Sequence, residues 1–193
     1  MPACPAPFVV RPYRPSDERG WLRCRALSFL STQYYDDVRP RRTPLPEHAI
    51  ELVAVTPVGD IIGILDVEID GDAATIDTVA THPDYQAIGV ATQLLRAALP
   101  LLADAGIATL DAWTREDPAA NSWYQRNGFL ENARYLHVYL GDDDDSTGFA
   151  TPEGLSAPVM AFAHGRIEDE AAARARYQRV YVCRQYLRPV ALH

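Results

Sequence analysis

Two short stretches of the chain combine residue types that can do chemistry. The first is HPDYQAIGVATQLL, residues 82–95, where a strand-like run ends at His82-Pro83 and a leucine-bearing helix follows. Between them stand Gln86, Ala87, Ile88, Gly89, Val90, Ala91 and Thr92. A core helix more commonly opens on a Ser, Asp or Thr cap than on a loop of small residues. The first turn of a helix presents up to about four N–H groups without intrahelical acceptors and roughly half a positive charge. Small side chains let an anion approach those groups. The chemistry this pattern fits is anion binding by bare backbone.

The second stretch is DPAANSWYQRNGF, residues 117–129. Asp117 and Pro118 supply the cap and first turn of a short helix that Asn127-Gly128 ends. Asn121 and Tyr124, three apart, share one face of it. A tyrosine hydroxyl can donate to a developing anion. A third element is Asp77, in TIDTVATHP, an acid on the strand leading into the first stretch. It can hold a cation or accept a proton. Asp66, Glu68 and Asp111 on neighbouring runs are further acids of this kind.

The elements that must position these residues follow from the pattern of the chain. Phe8 to Arg11 reads as a strand, and Ser16-Asp17-Glu18 caps a helix expected to bury Trp21, Leu22, Ala26, Leu27 and Leu30. After the Pro- and Arg-rich VRPRRTPLPEH come three strand-like runs separated by TPVGD and DGD, an antiparallel meander. Gly89 to Ala105 reads as a helix with Leu94, Leu95, Ala98, Leu101, Leu102 and Ala105 on one face and a kink at Pro100. Ile107 to Trp113 then returns as a parallel strand, completing a right-handed crossover. ARYLHVYL and QRVYVCRQYL look like paired closing strands. The expected fold is α/β: a mixed, mostly antiparallel central sheet of about six to seven strands, helices on both faces and one parallel strand-helix-strand crossover. It is read as a single domain over 1–193 with an acidic insertion at about 141–178. That segment holds eight acidic and three basic residues, begins as a solvated loop and ends helix-like in IEDEAAARARYQ.

Composition narrows the function classes. The 193 residues include 26 acidic and 18 basic, a formal net charge of -8, so the basic stripe that nucleic-acid binding needs is not expected. All basic residues are arginine, as codon bias in a GC-rich genome produces. Cys4, Cys24 and Cys183 lie far apart without a paired motif, so neither a disulfide framework nor a zinc site is expected. His82 and His137 lack ligand spacing, and no metal is expected. MPACPAPFVV has neither a basic leader nor a long apolar run, and no apolar stretch is long enough to span a bilayer. A cytoplasmic, non-membrane protein is the expectation, as a monomer or homodimer.

Together the two stretches resemble the GNAT superfamily of acetyl-CoA-dependent N-acetyltransferases. Gln86-Ala87-Ile88-Gly89-Val90-Ala91 is similar to that family's Q/R-x-x-G-x-G/A signature. DPAANSWYQRNGF is similar to its N-x-x-Y-x-x-x-GF helix, and the element order agrees. The likeness covers roughly residues 8–140 and the last strand. Ala87 and Ala91 depart from the residues usual at their positions, which is tolerable where the contact is made by backbone. The resemblance implies that the backbone from Gln86 to Thr92 takes the diphosphate of coenzyme A. It also implies that Val79, Ala80 and Thr81 pair with the pantetheine arm, with Asn121 near that arm and Tyr124 near the thioester sulfur.

The implied reaction is transfer of the acetyl group of acetyl-CoA, as co-substrate, to an amine of a small molecule or peptide by direct attack. The alternative is a catalytically inactive acyl-CoA-binding regulatory protein of the same fold. A lysine-like amine of pKa roughly 10.4 costs about 4.6 kcal/mol to deprotonate at neutral pH. Tyr124 suits the general acid for a departing thiolate. Asp77, matching a strand position where many members carry glutamate, is the candidate base. As an ordinary aspartate of pKa about 3.9 it is poorly matched to an amine, and without burial or a water relay it would only hold the ammonium. Acceptor selection is expected from the insertion, with Tyr34, Tyr35, Asp36 and Asp37 as an opposite wall.

Overall fold

The computed structural model describes residues 7–191, so Cys4 lies outside the described residues. The chain divides into two compact units, Met1–Ala112 with Leu187–His193, and Trp113–Tyr186.

In the first unit the strands follow the order β1-β2-β3-β4-β5. β1 (Val9–Pro12), β2 (Ile50–Val55), β3 (Ile61–Asp70) and β4 (Ala73–Thr81) are successively antiparallel, the expected meander with one added edge strand. β5 (Thr109–Thr114) lies parallel to β4, after the crossover helix α2 (Val90–Asp104). The alternation of β3 sets the two helices of this unit on opposite faces. Ile64 belongs to the cluster of Trp21 and Cys24 on α1 (Glu18–Phe29), while its neighbour Gly63 turns to α2.

Both helices depend on a glycine at the contact. A Cβ on Gly63 would stand 2.3 Å from Val90 Cγ1, and one on Gly20 would stand 2.6 Å from Ile61 Cγ1. Packing this close admits no added methylene.

The buried face of α1 differs from the expected one. It is Trp21, Cys24, Arg25 and Ser28; Leu22, Ala26 and Leu27 are half-buried and Leu30 is exposed. Arg25 holds a core position because Asp37 meets its guanidinium at 2.5 Å, so apolarity alone misread the stripe. On α2 the stripe is Val90, Leu94, Leu95, Ala98 and Leu102; Leu101 and Ala105 face solvent, and the helix continues through Pro100.

In the second unit the strand order is β8-β6-β7, with β6 (Leu130–Leu140) antiparallel to β7 (Ala161–Gly165). α3 (Pro118–Arg126) precedes them, and α4 (Glu170–Arg176) leads into β8 (Arg179–Pro189). Leu136, Val138, Val180 and Val182 cluster with Ile167, Ala173 and Tyr177. Among the described residues there are eight strands where about six to seven were expected. The segment read as an acidic insertion is partly regular, since it contributes β7 as well as the expected short helix. β7 was missed because the five residues AFAHG carry almost none of the β-branched bulk that marks a strand.

Among the described residues no helix is long and apolar enough to cross a membrane, and no group of three or more His, Cys, Asp or Glu is placed to hold a metal. Cys24 and Cys183 are buried free thiols, and burial pushes Cys24 up to about 12.

Candidate functional site

β4 carries the first set of site residues, and its two edges differ. Toward β3 it is paired along its length except at Asp77, with Val79, Ala80 and Thr81 opposite Leu65, Ile64 and Gly63. Toward β5 the parallel ladder runs from Ala73↔Thr109 to Ile76↔Ala112, and among the described residues of this unit it goes no further. The register with β3 slips at the same point: Asp66 faces Thr78 and Val67 faces Ile76, leaving Asp77 as the extra residue of a β-bulge. Bulges twist a strand and re-aim its side chains. Beyond Asp77, the peptide groups of β4 that point away from β3 form an edge able to accept another extended chain.

His82 ends the strand. Its N–H donates to Ile62 O at 2.9 Å, and its Nδ1 accepts from the Asp84 N–H at 3.3 Å. It is the turn residue that its place before Pro83 implied. After the tight turn Pro83–Tyr85 the chain exposes Gln86 and Ala87, half-buries Ile88 and exposes Gly89. Ala87 has φ 62° and Gly89 φ 88°, both left-handed. Val90, buried beneath Gly63, anchors the helix start.

The first α2 bond runs from Gln93 N–H to Gly89 O at 2.9 Å, so the amides of Val90 and Ala91 precede it. No side chain caps this terminus, and its first turn, which includes Thr92, holds no acidic residue. Exposed backbone, a left-handed glycine and an uncapped positive helix end match the needs of a diphosphate.

Asp77 lies on β4, ahead of this turn in the chain. It accepts a hydrogen bond from Thr78 Oγ1 at 2.8 Å and stands 3.8 Å from the Arg39 guanidinium. Asp66, 2% exposed, is 2.9 Å from Arg42, whose guanidinium also pairs with Glu51 and lies 4.2 Å from the ring centre of Tyr13. Burial pushes the Asp66 carboxyl up to about 6, against the opposing pull of Arg42. The Arg-rich connection is thus held to the sheet by charge: Arg39 spans Asp37 and Asp77, Arg42 spans Glu51 and Asp66, and the Arg42 N–H donates to Glu18 at 3.0 Å. These arginines were missed as site residues, although three of them in four positions beside a meander rich in acids was a visible signal. Of the expected wall, Asp37 is engaged by Arg25, Tyr34 packs on Phe29 at 5.5 Å and Tyr35 is half exposed.

In the second unit, α3 forms as its sequence requires. Asp117 Oδ1 accepts from the Ala120 N–H at 2.8 Å, and Pro118 opens the helix. Asn121 is fully engaged. Its Nδ2 donates to Arg115 O at 2.8 Å and Asp117 O at 2.6 Å, and its Oδ1 accepts from Tyr186 O–H at 2.8 Å. Tyr124, 4% exposed, stacks on Tyr186 with ring centres 5.3 Å apart and planes 12° apart. Phe129 meets Tyr124 edge-on at 5.2 Å. Tyr186 was not anticipated; it sits in a run read only as a closing strand.

Residues 47–131 match the family model of the acetyltransferase (GNAT) domain. The solved structures agree on the fold. The ribosomal-protein-S18-alanine N-acetyltransferase of Escherichia coli is similar at 16% identity and TM-score 0.60, over 97% of this chain and 96% of that one. A GNAT-family acetyltransferase of Staphylococcus aureus Mu50 is similar at 14% identity and TM-score 0.59, over 96% and 100%. PaiA N-acetyltransferase of Thermoplasma acidophilum, solved in complex with coenzyme A, is similar at 16% identity and TM-score 0.56, over 65% and 91%. No curated protein matches the sequence.

Proposed function

We propose that this chain moves the acetyl group of acetyl-CoA to an amine of a small molecule or a peptide by direct attack. The observation that carries the reading is the uncapped, acid-free start of α2 behind the left-handed Gly89, inside the matched GNAT domain. The Thermoplasma neighbour's complex with coenzyme A supports an acyl-CoA as co-substrate.

Each residue has a defined task in this scheme. The amides from Gln86 to Thr92 receive the diphosphate, with Ala87 and Gly89 shaping the turn. Val79, Ala80 and Thr81 offer the open edge of β4 to the amides of the pantetheine arm. Asp77, aimed by the bulge, holds the acceptor's ammonium and passes its proton toward solvent. Tyr124 donates to the sulfur as the carbon–sulfur bond breaks and the amide bond forms. Asn121 keeps the start of α3 in place, through its bonds to Arg115 and Asp117.

The test is thiol release from acetyl-CoA across a panel of primary amines and peptides. Release with at least one acceptor is expected. Acetyl-CoA at a hundredfold excess over its dissociation constant should add about 2.7 kcal/mol of stability, read as a higher melting temperature. A melting shift without release from any acceptor would support the inactive, acyl-CoA-binding alternative. No shift at all would overturn both.

A further inference from the structure

The connection after α1 is fastened to the sheet at two points, and the two are unlike. At Arg42 the hold is buried. Its side chain is 8% exposed and pairs with Glu51 and with Asp66, itself 2% exposed. Its guanidinium lies 4.2 Å from the ring centre of Tyr13 and 5.3 Å from that of Trp21. At Arg39 the hold is open. Nη1 stands 3.8 Å from Asp77 and Nε 3.8 Å from Asp37, with the Arg39 side chain 29% and the Asp77 side chain 26% exposed. A long, solvated pair of this kind is worth little and is readily exchanged, whereas a buried one is costly to break from one side.

Asp37 does not depend on Arg39. Arg25 donates to its backbone carbonyl at 2.6 Å and to its carboxylate at 2.5 Å. For Asp77 the paired cation is Arg39 itself. In this set of ion pairs four carboxylates, those of Asp37, Glu51, Asp66 and Asp77, share the guanidinium groups of Arg25, Arg39 and Arg42. Withdrawal of Arg39 leaves four acids against two bases. Arg25 and Asp66 both lie within electrostatic reach of Asp77, and their charges oppose each other there. A cation is therefore what the place beside Asp77 attracts once Arg39 leaves it.

We infer that Arg39 is an internal stand-in for the acceptor, a guanidinium that occupies Asp77 until a primary ammonium ion takes its place. The inference rests on the assignment of Asp77 to the acceptor's ammonium, and it adds to that assignment a residue that sets specificity. Arg39 swings aside while Arg25 and Arg42 keep the connection in position. One ion pair replaces another, and no covalent bond changes. An entering amine must outcompete a cation already present, so the site favours charged acceptors over neutral ones of the same shape.

The test is calorimetric titration of the full chain with benzylammonium chloride, with benzyl alcohol as the neutral control, beside the kinetics of thiol release. Arg39→Gln should bind benzylammonium about two- to fivefold more tightly than the parent, since one solvated ion pair no longer has to be broken. Arg39→Lys keeps the charge and should stay nearer the parent. Asp77→Asn should weaken binding, and Arg39→Gln added to it should give no further gain, because the contested carboxylate is gone. Benzyl alcohol should not distinguish the variants. With an acceptor that supports thiol release, Arg39→Gln should lower KM and raise kcat/KM, whereas loss of a residue that merely braced the connection would lower kcat/KM. Arg39 is partly exposed and Arg25 and Arg42 remain in place, so Arg39→Gln should melt close to the parent. Unchanged or weaker benzylammonium binding by Arg39→Gln overturns the inference, as does an equal gain in the Asp77→Asn background or no binding by any variant. Thiol release without these shifts leaves acetyl transfer standing and removes Arg39 from it. Tighter, Asp77-dependent binding without thiol release from any amine keeps the exchange at Asp77 and removes the transfer.

Discussion

Tyr124 and Tyr186 lie face to face, ring centres 5.3 Å apart, and the Tyr186 hydroxyl donates to Asn121 at 2.8 Å. The tyrosine proposed for the chemistry is thus backed by a second tyrosine whose hydroxyl is engaged by Asn121. Tyr124→Phe keeps the stack and loses the hydroxyl. It should lower the rate of thiol release on the order of a hundredfold with little change in acetyl-CoA binding. An unchanged rate removes Tyr124 from the mechanism. Tyr186→Phe also keeps the stack, but it deprives Asn121 Oδ1 of its donor, and should cost about 1 kcal/mol of stability with a smaller loss of rate.

Gly63 decides how close α2 comes to the sheet. A methyl group there would meet Val90 Cγ1 at 2.3 Å and Leu94 Cδ1 at 3.0 Å, and Val90 opens the helix whose amides are assigned to the diphosphate. Gly63→Ala should therefore destabilise by about 1–3 kcal/mol and weaken acetyl-CoA binding together, measured by denaturant titration and by the melting shift. Weakened binding is the informative half, because a packing defect remote from the ligand would leave it intact. Full affinity in a destabilised variant would detach the helix start from the cofactor.

How much of this was legible in the sequence differs by scale. The meander, the crossover helix, and the cap of α3 by Asp117 and Pro118 were readable, because each rests on local signals such as alternation, turn residues and caps. Asp77 was readable as an acid on the right strand, but not as the extra residue of a bulge, since register is fixed by pairing across strands. Arg25 and Arg42 were unreadable as buried groups because their burial depends on carboxylates 9 to 24 positions away, Asp37 for one and Glu51 and Asp66 for the other. Tyr186 lies 65 residues from Asn121, and nothing in its own run distinguishes it from a packing tyrosine.

The loop before α2 contains one residue in a conformation that suits it poorly. Ala87 has φ 62°, where an L side chain costs about 1–2 kcal/mol, while Gly89 at φ 88° has no Cβ to strain. Ala87→Gly relieves that strain and adds some unfolded-state entropy, so it should stabilise by roughly half a kcal/mol with acetyl-CoA affinity retained. Gly89→Ala should do the reverse. A Cβ there meets no atom within 4 Å, so its cost of about 1–2 kcal/mol is purely backbone strain, and loss of affinity should accompany it. Equal affinity in both variants would show that the left-handed turn does not shape the site.

Burial shifts Asp66 and the partly buried His137 in opposite directions over the same pH range. Burial pushes Asp66 up to about 6, so the folded chain holds a proton that the unfolded chain releases near pH 4. Its contribution is fully present below about pH 4 and is lost as pH rises through about 6, on the order of 3 kcal/mol. His137 runs the other way: burial first, then the charge of Arg115, lowers it to about 4, below an unfolded value near 6.5. Its contribution is present above about pH 6.5 and is lost as pH falls through about 4. The parent protein should therefore show a shallow stability profile between pH 4 and 6.5, the two slopes offsetting. Asp66→Asn should unmask a profile that climbs with pH, and His137→Gln one that falls with pH, both read by urea denaturation at fixed ionic strength. A flat profile in either variant would mean that its partner does not titrate with the fold.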